Sequence, residues 1–117
     1  METTYQPKAL TPDELQKLSQ EVKRALTNLY GERLDRVILF GSYARGDFHA
    51  ESDVDYMVML KDDKIKLGEE IRSMVDRIYD LSDKHHTLVS VKPASLTKYL
   101  QSNLFLYQNV RREGLPI

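Results

Sequence analysis

The sequence predicts an α+β domain in which a small sheet is packed with helices. Three observations predict it. Amphipathic helical segments alternate with short apolar runs rich in β-branched residues. The segments follow the order helix, strand, strand, helix, strand, helix. The 117 residues contain no internal repeat, low-complexity stretch or linker, which suits one domain.

Residues 1–10 are polar, include Pro7 and read as a flexible N-terminal arm from which Tyr5 and Leu10 could tuck against the body; residues 11–117 read as the single domain. Thr11 is placed as an N-cap, with Pro12 at the first helical position and Glu14 completing a capping box. Leu15, Leu18, Val22, Ala25, Leu26 and Leu29 then mark one helical face until Gly31 offers a stop. Val37–Phe40 is apolar without alternation, as in a strand covered on both faces. From Gly41 to Ser52 the chain is small, polar and turn-like, and Asp53–Leu60 resumes as a second strand with Met57 and Met59 as core filler.

Asp62 or Asp63 is expected to cap the next helix, whose apolar face reads Leu67, Ile71, Met74, Val75, Ile78 and Leu81 and fades near Lys84–His86. Thr87–Val91 reads as a third strand closed by Pro93. Ser95 caps a short helix through Leu100, and Leu104, Tyr107 and Val110 share one face of a last helix ending at Gly114. Tyr99, Phe105 and Tyr107 are expected to pack these final helices on the sheet.

Composition excludes several functions. Without cysteine there is no disulfide framework, thiolate metal site or cysteine nucleophile, so chemistry must rest on carboxylates, hydroxyls, the three His or a bound cation. With 17 Lys+Arg against 18 Asp+Glu, the chain lacks the basic surplus of a protein that tracks duplex nucleic acid. The N-terminus lacks the pattern of a secretory signal, and apolar runs such as Val37–Phe40 are far too short for a bilayer. A cytoplasmic protein without membrane contact is expected.

The chemistry concentrates in two places. Asp53 and Asp55, at i and i+2 on a strand, project from the same face. Two like charges at that spacing repel, and a cation between them relieves the repulsion. Hard oxygen ligands suit Mg²⁺, which takes one or two carboxylates with waters and substrate phosphates. Gly41-Ser42 lies where the first strand gives way to a polar loop; glycine permits close backbone approach, and main-chain N–H groups with a hydroxyl can cradle a phosphate. Sequential strands commonly lie side by side, so both places could converge on one metal and one triphosphate. No Gly-x-x-x-x-Gly-Lys is present.

Gly41-Ser42-Tyr43-Ala44-Arg45-Gly46, followed by Ser52-Asp53-Val54-Asp55, resembles the signature of the minimal nucleotidyltransferases of the polymerase-beta-like superfamily. The resemblance runs from about Leu15 to Gly114 and implies a small mixed sheet. It also implies Mg²⁺-dependent transfer of a nucleoside monophosphate, AMP from ATP, to a hydroxyl with loss of pyrophosphate. Carried over, Gly41 and Ser42 hold the triphosphate, with Arg45 and Ser52 in support, and Asp53 and Asp55 bind one or two metal ions. Arg45 has a bland alternative, pairing with Asp47. Active members of the family usually add a third carboxylate on the next strand, where this chain has Ser90 and no acid.

Small stand-alone members are frequently antitoxins of HEPN-domain toxins. The resemblance therefore implies transfer of AMP to a tyrosine of such a toxin, in a type VII-like pair. The missing acid leaves an alternative open: a catalytically degenerate module that neutralises its partner by stoichiometric binding. Transfer to a small molecule or RNA end is disfavoured because no separate substrate domain is visible. Oligomeric state is left open. His85-His86 reads as a polar helix end rather than a ligand pair, His49 as a loop residue facing solvent, and Arg111-Arg112 as too short for nucleic-acid binding.

Overall fold

The computed structural model describes residues 7–117. They form α1 (Pro12–Tyr30), a 3₁₀ turn (Gly31–Arg33), β1 (Leu34–Phe40), α2 (Ser42–Arg45), β2 (Val54–Leu60), α3 (Leu67–His85), β3 (Val89–Ser95), α4 (Leu96–Gln101), α5 (Phe105–Glu113) and β4 (Leu115–Pro116). The expected α+β class holds, and the sheet is mixed. Its strand order is β3-β2-β1-β4, with β1 antiparallel to β2 and β4 and with β2 parallel to β3. A parallel neighbour needs a crossover, which α3 supplies.

Both sheet faces are covered, which is why β1 and β2 read as continuous apolar runs. On one face, Val37 and Leu39 of β1 and Tyr56 and Val58 of β2 pack against Leu18, Val22 and Leu26 of α1 and Met74 and Ile78 of α3. On the other, Ile38, Met57, Met59 and Ala94 lie under Tyr99, Tyr107 and Val110. Leu10 is buried in the first cluster, and its N–H donates to the Tyr43 hydroxyl at 3.0 Å. Tyr5, named with it above, lies outside the described residues.

The capping box at α1 forms as expected: Glu14 N–H donates to Thr11 Oγ1 at 3.1 Å, and Thr11 N–H to Glu14 Oε1 at 2.9 Å. Ser95 likewise caps α4 through Lys98 N–H at 3.1 Å. The start of α3 differs. Its N-cap is Lys66 without a side-chain bond, because Asp62 is drawn to Arg33 at 3.0 Å and Asp63 accepts from the Thr97 hydroxyl at 3.2 Å.

The buried side of α3 is narrower than its periodicity suggests. Met74 and Ile78 face the core, whereas Leu67, Ile71 and Val75 are 53%, 46% and 49% exposed. The helix lies over β3, an edge strand, so its flank has nothing beyond it to pack against. Phe105 is 82% exposed, contrary to the expected packing, while Tyr99 and Tyr107 are buried. Leu104 stands at the N-cap of α5 and is also exposed. β3 starts later than expected and runs through Pro93, which an edge strand tolerates because no further strand needs the missing N–H. The loop after Gly41 contains the short helix α2.

His85 contacts the Glu21 carboxylate, and Lys84 donates to the same group at 2.6 Å, so this end of α3 is tied to α1. Arg111 donates to the carbonyls of Tyr99 and, at 2.7 Å, of Ser102, closing the turn between α4 and α5.

The Ser19 and Tyr56 hydroxyls share a 2.8 Å hydrogen bond inside the main core, and burial raises the Tyr56 pKa to about 12. Ser19→Ala strands a buried phenol and should cost about 1–3 kcal/mol in urea unfolding. Combined with Tyr56→Phe, the cost should fall below the sum of the two single changes; strict additivity would show the pair to be uncoupled.

Candidate nucleotide site

β1 and β2 run antiparallel, so the end of β1 meets the start of β2, and register sets Phe40 opposite Asp55. On the other side, β3 places Ser90 directly beside Asp55. The two-residue period puts Asp53 and Asp55 on the sheet face shared with Met57, the face covered by α5. Asp53 is exposed and Asp55 half-buried.

Gly41 closes β1 with φ 75° and ψ −157°, a backbone conformation open almost only to glycine. A Cβ there would collide with Asp55 Oδ2 and sit 3.3 Å from its Cγ. The missing side chain is therefore what lets the Asp55 carboxylate lie against the main chain at the entrance to α2. The Gly41 carbonyl accepts from Ala44 and Arg45 N–H, both at 3.1 Å, and starts this turn at Ser42. Gly46 ends it at φ 92°. The Gly-Ser element and the Asp-x-Asp element, ten residues apart, thus meet at one edge of the molecule.

The loop between them is held at both ends. Tyr43 and Phe48 stack with ring centroids 4.3 Å apart and planes 9° from parallel. Ser52 Oγ accepts from His49 N–H at 2.9 Å, and His49 Nδ1 accepts from Glu51 N–H at 3.1 Å. Ser52 and His49 accordingly shape the turn before Asp53. Arg45 pairs with Asp47 at 3.2 Å and also with Glu113 of α5 at 3.3 Å.

Electrostatics single out Asp55. Burial raises its pKa above the ordinary aspartate value, and the neighbouring Asp53 charge pushes it further; Lys92 and Arg45 pull the other way. Lys92 and Glu113 escaped the sequence reading. Lys92 had a readable signal, because it stands two residues beyond Ser90 on the same face of β3. Glu113 had none, since only the return of α5 brings it to Arg45.

Among the described residues no group of three His, Asp or Glu side chains is arranged to hold a metal ion. The donor set is two carboxylates whose mutual repulsion a divalent cation would relieve. That fits Mg²⁺ taking its remaining ligands from water and phosphate, with Asp53 and Asp55 as protein ligands. No described helix is long and apolar enough to cross a membrane.

The family model for the nucleotidyltransferase domain matches residues 15–106. A Methanocaldococcus jannaschii protein, named as a proposed protein adenylyltransferase, is 47% identical over 49 residues, 42% of this chain and 50% of the relative. The chain thus spans about half the length of the curated relatives it matches. Among solved structures, a mutant MntA toxin–antitoxin complex superposes with TM-score 0.59 at 18% identity, covering 83% of this chain and 69% of that one. An MNT antitoxin with a tri-AMPylated HEPN toxin of Shewanella oneidensis gives 0.54 at 19% identity, over 86% and 69%. At such identities the likeness is one of fold.

Proposed function

Because the chain belongs to the nucleotidyltransferase domain family, we propose that it moves AMP from ATP to a tyrosine hydroxyl of a HEPN-domain toxin in the cytoplasm, acting as the antitoxin of the pair. The observation that carries the reading is Asp55, the half-buried member of the Asp53–Asp55 pair, packed against Gly41 at the mouth of α2. The curated relatives named as protein adenylyltransferases and the fold shared with an MNT antitoxin bound to an AMPylated HEPN toxin support the acceptor class.

In this reading Asp53 and Asp55 hold Mg²⁺, while Gly41 and Ser42 seat the triphosphate, with Ser52 fixing the loop between them. Bound there, the cation supplies Lewis-acid polarisation of the phosphate and neutralises charge on the leaving pyrophosphate. Asp55 must be ionised to serve, and Lys92 and Arg45 favour that state against burial and Asp53. Arg45, already paired with Asp47 and Glu113, orders the loop and adds positive charge near the phosphates. Where the family resemblance implies a third acid, the neighbour of Asp55 is Ser90, so this chain brings no carboxylate there to take the acceptor proton. That observation favours the second reading, a binding module that silences its partner without transfer.

Incubation with α-labelled ATP, Mg²⁺ and the HEPN-domain toxin proposed as its partner separates the two. Label on a toxin tyrosine, lost with Asp53→Asn combined with Asp55→Asn, is expected. No label, with that double variant neutralising the toxin as well as the parent, would overturn the catalytic reading in favour of binding alone.

A further inference from the structure

Beyond the nucleotide site, α3 carries a second feature. Leu67, Ile71, Val75 and Tyr79 are 53%, 46%, 49% and 70% exposed, and their four-residue spacing makes one continuous ridge about 18 Å long. Beside it runs an apolar groove of about 290 Å³ between α3 and β3, lined by Ile71, Val75, Ile78, Tyr79, Leu88 and Val91. A contiguous apolar surface of this kind on a folded domain marks an association site. We propose that it is the interface between two copies of this chain, joined by an antiparallel crossing of their α3 helices at Val75.

Three features select a second copy. The two-fold of an antiparallel crossing brings ridge against ridge and lays the two apolar grooves side by side, so the same patch covers itself, the self-complementarity that an isologous dimer requires. Ridges along every fourth residue interdigitate at about −50°, the commonest helix-packing class. The rim charges match as well. Arg72 and Asp76 lie about 60° and 100° around the helix from Val75, on the side away from the core residues Met74 and Ile78. A two-fold axis at Val75 brings that rim against its own copy and sets Arg72 level with position 78 of the other chain, about 3 Å along the axis from its Asp76. Each dimer thereby gains two opposite-charge contacts.

Strand pairing does not compete with this arrangement. The outer edge of β3 carries Lys92 and Pro93, which blunt it against addition of another strand. Asp53 and Asp55 project on the opposite sheet face, so both copies keep open sites, and the inference stands whether or not the proposed transfer reaction is correct. A net charge of −1 per copy adds little repulsion.

The test is sedimentation equilibrium of the full chain over a range of concentrations. The parent should be a concentration-dependent dimer and Val75→Glu a monomer with an unchanged circular dichroism spectrum. Arg72→Asp and Asp76→Arg should each weaken dimerisation on the order of tenfold or more by placing like charges at both contacts. An equimolar mixture of those two variants should recover it. In the mixed dimer the R72D chain presents acids at both rim positions and the D76R chain presents bases at both, so each contact again pairs opposite charges. A parent that is monomeric at every concentration overturns the proposal. So does a mixture that fails to recover, or a Val75→Glu variant that dimerises like the parent. Loss of binding only to a different protein would assign the surface to that partner and overturn it equally.

Discussion

Asp55→Asn is expected to lower nucleotidyl transfer on the order of 10³-fold while making the fold more stable at neutral pH, an effect opposite to that of a damaged core. The first part follows from the role proposed for Asp55. It is the half-buried member of the carboxylate pair, and losing it removes several kcal/mol of charge stabilisation from the transition state. The second part follows from the direction of its pKa. Burial and Asp53 raise the folded-state value above that of the unfolded chain, so the native state binds the proton more tightly than the unfolded state does. Stability is therefore fully present below the unfolded pKa and is lost as pH rises through the raised folded pKa. At pH 7 the ionised carboxylate is a cost that an amide does not bear. Denaturant unfolding without Mg²⁺ should show the D55N variant above the parent at pH 7 and converging with it in acid, once the parent carboxyl is protonated. Added Mg²⁺ should raise the parent but not the variant. A variant less stable than the parent at pH 7 would mean that Asp55 makes a structural contact worth more than its desolvation.

The parts of the fold set by local chemistry were legible in the sequence. Thr11, Pro12 and Glu14 form the expected box because capping is decided within one turn. The Gly41-Ser42 and Asp53-x-Asp55 elements converge because two adjacent antiparallel strands are joined by a loop held closed by the Tyr43–Phe48 stack. What could not be read depends on neighbours far away in sequence. Periodicity shows that α3 is amphipathic, but only the order of strands shows that β3 is an edge and that Ile71 and Val75 overhang it. Pro93 looked like a terminator for the same reason: its meaning changes with the side of the strand left unpaired. Asp62 was a sound N-cap candidate locally, yet it lost to the Arg33 guanidinium reaching from the end of the 3₁₀ turn. In the site, strand period joins Asp53 to Asp55 and Ser90 to Lys92, but only the β2–β3 register sets the two pairs on one face. The Arg45–Glu113 contact, made across 68 positions, is a product of the whole fold.

Gly41→Ala is expected to harm both stability and transfer, for two separable reasons. The backbone at φ 75°, ψ −157° belongs to a region that costs a residue with a side chain about 1–3 kcal/mol. Independently, the new methyl would meet Asp55 Oδ2, with Cγ only 3.3 Å away. Relief requires the carboxylate to swing off its position or the start of α2 to move. Either shift displaces a proposed ligand by about 1 Å, enough to cost about 10²-fold in rate. The two causes come apart in a double-mutant cycle. In an Asp55→Ala background the collision is gone and only backbone strain remains, so Gly41→Ala should cost less there than in the parent, by an amount that measures the collision. Urea midpoints for the four proteins supply the cycle, and labelled-ATP transfer supplies the rate in the background that keeps Asp55. Equal costs in both backgrounds would place the whole effect in the backbone. A G41A protein as stable and active as the parent would show that the Gly41–Asp55 approach does not form the site.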